Sequence, residues 1–211
     1  LEELEGLSAT EKANMLFIVQ DPYTSYYDAK VVRDFVAFTQ KLGFSPILLP
    51  FKPNGKAMHI KGFLARFSKT AKTQAEFLNR VAKLNVPLVG VDPAIVLSYR
   101  DEYKEALGDS RGDFHVLTAH EWLTNQLESN TLQSAVKNIA KSDRTFEWHL
   151  FPHCTESTFM PNSPKEWQNI FTQFGQTLNV QKVGCCGMAG VFGHEIQNQT
   201  MSKDIYDVSW G

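Results

Sequence analysis

The chain alternates short apolar runs with amphipathic stretches. The apolar runs cover residues 15–20, 46–50 and 86–91, and two of them are followed by an Asp-Pro pair. Runs of this length, bounded by turn residues, predict parallel strands that are buried on both faces. Between them, residues 28–42 and 58–84 repeat apolar side chains every three or four positions, which predicts helices. Further along we predict a helix over 94–107, a short strand over 114–118, and one or two helices over 122–141.

After residue 145 the same order of elements begins again. The sequence predicts a strand over 148–152, a helix over 164–178, and a strand over 180–183 that enters a glycine-rich loop. We therefore expect an α/β fold of two Rossmann-like halves, with parallel strands, flanking helices and a weak internal duplication. The predicted division is a leader from the preceding part of a parent chain (1–13), a cysteine-free half (14–144) and a cysteine-bearing half (145–211).

Composition narrows the class of protein. Of the 211 residues, 43% are apolar and 21% are charged, which predicts a folded chain rather than a disordered one. The 21 basic and 23 acidic side chains nearly balance, so no nucleic-acid partner is expected. The longest apolar runs are too short to span a bilayer, and we expect no membrane insertion. All three cysteines follow residue 150, unlike a secreted disulfide framework, so a cytoplasmic location is expected.

One group of residues demands a chemical explanation. Cys154 follows one predicted strand, and the adjacent Cys185 and Cys186 follow the next. Thiolates are soft donors that suit iron–sulfur clusters, zinc or cuprous ions. Glycines at every third position of 184–193 leave the backbone free to approach a metal or an anion. We predict the three cysteines as metal ligands, with His153 as a further candidate.

A second group of residues follows the predicted strands and could line a crevice. In open parallel sheets, ligands bind beyond the carboxyl ends of the strands. The candidates combine polar and aromatic side chains of the first half with loop residues of the second, namely Asp21, Tyr23, Asn54, Lys56, Gly187 and His194. The structural alternative is that the Asp-Pro pair forms a turn and the tyrosines pack. His59, His115 and His120 are expected to cap or pack.

These motifs resemble a known family. His153-Cys154, followed by Cys185-Cys186-Gly187-Met188-Ala189-Gly190, resembles half of the cysteine-rich CCG domain that occurs in heterodisulfide reductase and in related iron–sulfur proteins. The stretches 19–28, 54–57, 89–93 and 190–195 are similar to the C-terminal part of large fused FAD/iron–sulfur oxidoreductases of the D-2-hydroxyglutarate or D-lactate dehydrogenase type. This similarity extends over nearly the whole chain.

The resemblance implies a role for the chain. In such families an FAD domain oxidises a 2-hydroxy acid, a ferredoxin-like domain relays electrons, and the CCG domain is the last module. By that resemblance Cys154, Cys185 and Cys186 would hold an iron–sulfur cluster of the 4Fe–4S type. The family's further cysteine would lie after Gly211, so the cluster is expected to be incomplete or lost in this chain, with His153, His194 or a labile group as a substitute ligand. The chain alone is not expected to be catalytic.

Two other interpretations of the cysteines stay open. In the first, Cys154, Cys185 and one histidine bind a structural zinc ion, or form a vestigial module that assembles the parent enzyme. In the second, the cysteines cycle between thiol and disulfide states. The metal type and the reactivity of the thiols distinguish these interpretations.

Overall fold

The computed structural model describes residues 2–129, 132, 135–137 and 146–210. Four parallel strands form one sheet, here called sheet A, in the order β2-β1-β3-β4. Its strands are β1 (Met15–Val19), β2 (Ser45–Leu48), β3 (Leu88–Gly90) and β4 (Val116–Thr118). Strands β5 (Glu147–Leu150) and β6 (Thr177–Val180) pair in parallel in a second sheet, here called sheet B. The predicted α/β class with parallel strands is confirmed.

Helices connect the strands and cover the sheets. Two short helices, α1 (Glu2–Glu5) and α2 (Ala9–Lys12), precede β1. Those of the first half are α3 (Pro22–Tyr26), α4 (Ala29–Lys41), α5 (Lys56–Ile60), α6 (Leu64–Ala82), α7 (Pro93–Arg100), α8 (Glu102–Leu107) and α9 (Ala119–Glu128). Those of the second half are α10 (Cys154–Phe159), α11 (Ser163–Gln173) and α12 (Gln199–Trp210). Along the described residues, none of these helices combines the length and apolar character needed to cross a membrane.

The apolar run of β1 is continuous because both faces of sheet A are covered. Phe17 and Val19 pack into a core with residues of α6 and α7, whereas Leu16 and Ile18 pack into a second core on the opposite face. Successive side chains of a strand point to opposite faces, so each core receives alternate residues. The second core also contains Ile170 from α11. The cysteine-bearing half therefore shares buried apolar surface with the first half.

Two of the predicted helices are each divided in the structure. The helix predicted over 58–84 is wrong as a single element, because α5 ends at Ile60 and α6 begins at Leu64. Gly62 lies between them with φ +75, and a right-handed helix cannot continue through a residue with positive φ. The helix predicted over 94–107 divides at Asp101 into α7 and α8. Of the region 122–141, the structure places α9 at 119–128, and much of the remainder lies outside the described residues.

The last strand lies earlier in the chain than its sequence pattern indicated. The predicted helix 164–178 ends at Gln173, and the predicted strand 180–183 is instead Thr177–Val180. The backbone N–H of Gln176 donates to the carbonyl of Phe171 at 2.9 Å, which closes the helix and turns the chain into β6. Within the described residues, the second half has one pair of parallel strands, β5 and β6, which α10 and α11 connect. The domain boundary at residue 145 stays a prediction.

Asp21 fixes the turn at the carboxyl end of β1. Its side chain is 2% exposed, and its Oδ1 accepts the N–H groups of Tyr23 at 2.8 Å and Thr24 at 2.9 Å, which caps α3. Burial raises the pKa of Asp21, and the neighbouring carboxylate of Asp92 adds to this rise. The Asp-Pro pair is thus a helix start rather than a simple turn, and Tyr26 and Tyr27, which follow it, are exposed rather than packed.

We predict that Asp21→Ala lowers the free energy of unfolding by about 1–2 kcal/mol, as expected for a lost cap, and that Asp21→Asn loses less. Because the folded pKa of Asp21 is raised, the folded state takes up a proton before the unfolded state does. The wild-type chain should therefore gain stability relative to Asp21→Asn as the pH falls from 7 toward about 4. Urea unfolding of the three proteins at several pH values measures this. If the wild-type chain instead loses stability relative to Asp21→Asn as the pH falls, the raised pKa of Asp21 is contradicted.

Candidate thiol site at the edge of sheet B

The pairing of β5 with β6 brings the two cysteine-bearing loops to one edge of sheet B. The strands are parallel, with Leu150 opposite Val180, and the backbone N–H of Gln181 donates to the carbonyl of Leu150 at 2.8 Å. Cys154 begins the helix that follows β5, and Cys185 lies in the loop that follows β6. Loops that leave the carboxyl ends of neighbouring parallel strands lie at the same edge. The two segments that carry the thiols therefore start side by side.

An aromatic stack connects both loops to the last helix. The ring of Phe151, which follows β5 directly, stacks on Trp210 of α12 with centroids 5.0 Å apart and planes at 23°. The indole N–H of Trp210 donates to the carbonyl of Gly184 at 3.4 Å, immediately before the paired cysteines. Tyr206 continues the stack with a centroid distance of 5.8 Å. One end of α12 thus contacts the residues that lead into both thiol-bearing segments.

The glycine-rich loop presses closely on α12. The hydroxyl of Ser202 donates to the carbonyl of Gly187 at 2.9 Å. Gly187 has φ +80, and a Cβ at this position would lie 2.1 Å from the backbone oxygen of Ser202. A side chain at Gly187 would therefore require both a strained backbone and a displaced helix. The repeated glycines serve this packing as well as the backbone freedom that the sequence predicted.

The thiols themselves are free and accessible. Cys154 and Cys186 are exposed, and Cys185 is half-buried. The backbone N–H of Gly187 donates to Sγ of Cys185 at 3.4 Å, and hydrogen bonds to sulfur are one means by which proteins tune bound clusters. Across the part of the chain that the structure describes, however, no three His, Cys, Asp or Glu side chains are grouped so as to hold a metal ion. The donors fit a soft metal or cluster in kind and in loop placement, but their side chains do not converge on one point.

Both candidate histidines have structural partners. His153 is the N-cap of α10, where its Nδ1 accepts the N–H of Thr155 at 3.2 Å, so that only Nε2 is available to a metal. His194 stacks on Tyr27 of the first half, with ring centroids 6.1 Å apart. The assignment of either histidine as a ligand stays a prediction.

The crevice residues of the first half are largely engaged by their neighbours. The Oδ1 of Asn54 accepts the N–H of Lys56 at 2.9 Å, and the ammonium of Lys56 pairs with Glu102. The hydroxyl of Tyr23 and the side-chain Nδ2 of Asn54 are, however, buried without a hydrogen-bond partner among the described residues. Burial raises the pKa of Tyr23, as do the carboxylates of Asp92 and Asp21. Of this predicted set, Tyr23 and Asn54 each retain one unpaired buried polar atom.

The glycine-rich loop also contacts the first half beside Tyr23. A Cβ on Gly190 would lie 3.7 Å from the Tyr23 hydroxyl oxygen and 2.4 Å from Ile60. Further along the loop, Glu195 pairs with Lys61 at the end of α5. The loop that carries the paired cysteines therefore extends to the carboxyl edge of sheet A. This contact agrees with the predicted crevice, although the roles of its residues stay a prediction.

Sequence reasoning missed a buried polar cluster between the halves. His120 of α9 lies with Nδ1 3.4 Å from Oε1 of Glu156 and with Nε2 3.2 Å from Oε2 of Glu166. Burial lowers the pKa of His120, while the two glutamates oppose that shift. His120 does pack, as expected, but against carboxylates rather than apolar side chains alone. The signal in the sequence was weak, because the partners are more than thirty positions apart.

The fold and the site together define an α/β protein of parallel sheets, with free thiols on the loops at one sheet edge. The chain is similar to proteins named D-2-hydroxyglutarate dehydrogenase: it is 80% identical over 210 residues to that of Haemophilus influenzae, 57% identical over 210 residues to that of Escherichia coli, and 35% identical over 207 residues to that of Pseudomonas putida. The alignments cover 98–100% of this chain but 20% of each relative, so the chain spans about a fifth of the length of the curated relatives it matches. No family model and no solved structure matches it.

We predict that Gly187→Ala destabilises the chain more than Gly43→Ala does. Both glycines have positive φ, but a Cβ at Gly43 meets no atom within 4 Å, whereas one at Gly187 meets Ser202. The strained backbone alone costs about 1–2 kcal/mol, and the collision adds on the order of 1–3 kcal/mol. Urea unfolding measures both losses. Equal losses would show that the cysteine loop is not pressed against α12.

Proposed function

We propose that this chain is one module of an FAD-linked 2-hydroxy-acid oxidoreductase of the D-2-hydroxyglutarate dehydrogenase type. The observation that carries the proposal is the alignment of the whole chain, at up to 80% identity, with proteins of that name. The same alignments cover a fifth of each relative. The remaining four fifths leave ample length for the flavin and ferredoxin-like domains that the family resemblance implies as partners. In this proposal FAD belongs to the parent protein, and this chain contains neither the flavin nor the substrate site.

The role proposed for the module is electron transfer through an iron–sulfur cluster of the 4Fe–4S type. Cys154, Cys185 and Cys186 would hold the cluster, with His153 as a candidate further ligand. When bound, such a cluster supplies one-electron transfer, which complements the two-electron chemistry of a flavin. The proposal is supported by three features of the described residues: the shared strand edge, the aromatic stack that joins the two loops, and the N–H···S contact at Cys185.

The chain's own residues would prepare the site in two ways. The backbone N–H of Gly187 donates to Sγ of Cys185, and this bond would stabilise the thiolate that a metal requires. Ser202 and Trp210 of α12 hold the same loop by donating hydrogen bonds to the carbonyl groups of Gly187 and Gly184. The loop is thus fixed by its backbone, which leaves the cysteine side chains free to move onto a bound metal.

Two alternative functions of the thiols make different predictions. A structural zinc site would use Cys154, Cys185 and one histidine, and the remaining Nε2 of His153 is suited to that role. A thiol–disulfide function would use the exposed Cys154 and Cys186. Zinc would bind without visible absorption, whereas a disulfide would form without any metal.

The test is anaerobic reconstitution of a chain extended past Gly211 with iron and sulfide, and separately with zinc, followed by metal and sulfide analysis and by optical and EPR spectra. We expect iron and sulfide to bind together with visible absorption. Each variant Cys154→Ser, Cys185→Ser and Cys186→Ser should bind iron at least about tenfold more weakly, because loss of a direct ligand costs no less than loss of an outer partner. Unchanged iron content and spectra in Cys186→Ser would overturn the ligand assignment.

A matched histidine pair tests the fourth ligand. His153→Asn keeps a side-chain acceptor for the cap of α10 but removes the imidazole, and His149→Asn changes an exposed histidine on β5 in the same region. If His153 is a ligand, its variant should lose iron and change the EPR signal while the His149 variant stays like the wild type. Identical spectra in both variants would remove His153 from the site.

A further inference from the structure

Glu156 is a buried carboxylate with partners from both halves of the chain. It is 7% exposed and lies on α10, two residues after Cys154. Its Oε1 accepts the hydroxyl of Ser163 and the indole N–H of Trp167, the latter at 3.3 Å, and both donors belong to α11. The Nδ1 of His120, on α9 of the first half, lies 3.4 Å from the same oxygen. This one oxygen atom therefore contacts residues of α9 and α11 at once.

Burial of a carboxylate is costly, so its position is strongly constrained. Moving an ionised carboxylate away from water is unfavourable unless hydrogen bonds and opposite charge compensate for the lost hydration. The hydroxyl of Ser163 and the indole N–H of Trp167 donate hydrogen bonds to Glu156, and the imidazole of His120 lies beside the same oxygen. Displacement of α10 would leave the carboxylate buried without these partners, which is unfavourable.

The position of Glu156 sets that of Cys154. The helix α10 is six residues long, and Cys154 is its first residue. Within such a short helix, two residues that are two positions apart move together. Three residues, Phe151 to His153, separate α10 from β5, so strand pairing fixes where the helix begins. Its packing on α7 and the contacts of Glu156 together set how it lies against the first half.

We propose that Glu156 is a positioning residue, which anchors the Cys154 helix to α9 and α11 and thereby sets the place of the Cys154 thiol relative to the paired cysteines. The use of the thiols in metal binding rests on the proposed function. The placement itself does not, because it follows from the buried contacts of Glu156.

Glu166 provides the matched control. It also approaches His120, at 3.2 Å, but its side chain is 36% exposed and it belongs to α11 rather than to the Cys154 helix. Removing its carboxylate perturbs the same histidine without releasing α10. The conservative variant Glu156→Gln retains an oxygen that accepts from Ser163 and Trp167, so it should rescue much of what Glu156→Ala loses.

The experiment measures the placement of the thiols directly. In a Cys185→Ser background, a short bifunctional thiol reagent crosslinks Cys154 to Cys186 in dilute protein, and mass spectrometry identifies the linked peptides. We expect Glu156→Ala to slow crosslinking about tenfold, Glu156→Gln about twofold, and Glu166→Ala hardly at all. All rates are taken well below the thermal unfolding midpoint of every variant. If Glu156→Ala does not fold, Trp167→Phe, which removes one donor and keeps the ring, should slow crosslinking two- to threefold.

The outcomes separate this inference from the proposed function. Wild-type crosslinking rates in both Glu156→Ala and Trp167→Phe, or an equal slowing in Glu166→Ala, would overturn the positioning role. The positioning role would also be overturned if Cys154 and Cys186 never crosslink in the Cys185→Ser protein that carries no further substitution. Crosslinking that responds as expected, in a chain that extends past Gly211 and binds neither iron nor zinc, would uphold the positioning role and refute the metal site.

Discussion

The parallel pairing of β5 with β6 is the constraint on which the thiol site depends. An antiparallel pair would send the loop after β5 and the loop after β6 to opposite ends of the sheet, and Cys154 could not lie near the paired cysteines. The crossover helix α11 makes the parallel pairing possible. The same helix places Ile170 in the second core of sheet A, and Phe174, the first residue after the helix, belongs to that core too. One element thus both orders the thiol edge and attaches it to the first half.

The last helix completes the site by supporting its backbone. Ser202 and Trp210 of α12 donate to carbonyl groups on either side of the paired cysteines. Because glycines flank those cysteines, the loop approaches the helix closely enough for these bonds to form. The stack of Trp210 on Phe151 then fixes the second loop relative to the first. The hydrogen bonds from α12 therefore explain how the glycine-rich loop, which has few large side chains to pack, has a defined path.

Sequence patterns predicted the features that depend on near neighbours. The apolar runs located the strands of sheet A, because that signal lies within a few residues. The Asp-Pro pair at Asp21 was predicted as a turn, and the structure shows a short capped helix there. Helix ends were predicted less well than strands. Apolar side chains repeat at helical spacing on both sides of Gly62, so the pattern alone did not show that the helix divides there. The contacts of His120 with Glu156 and of Trp210 with Gly184 could not be predicted at all. They join residues that meet only once the sheets have packed.

This difference between local and distant contacts also distinguishes the two halves. Asp21, buried at the end of β1, is compensated by backbone N–H groups of the very next helix turn. Glu156, buried after β5, depends on α11 and on a histidine of the first half. The turn after β1 is therefore fixed by its own sequence, whereas the Cys154 segment takes its position from the rest of the chain. A thiol site built at this edge would form only when both halves have folded against each other, which couples its chemistry to the integrity of the whole module.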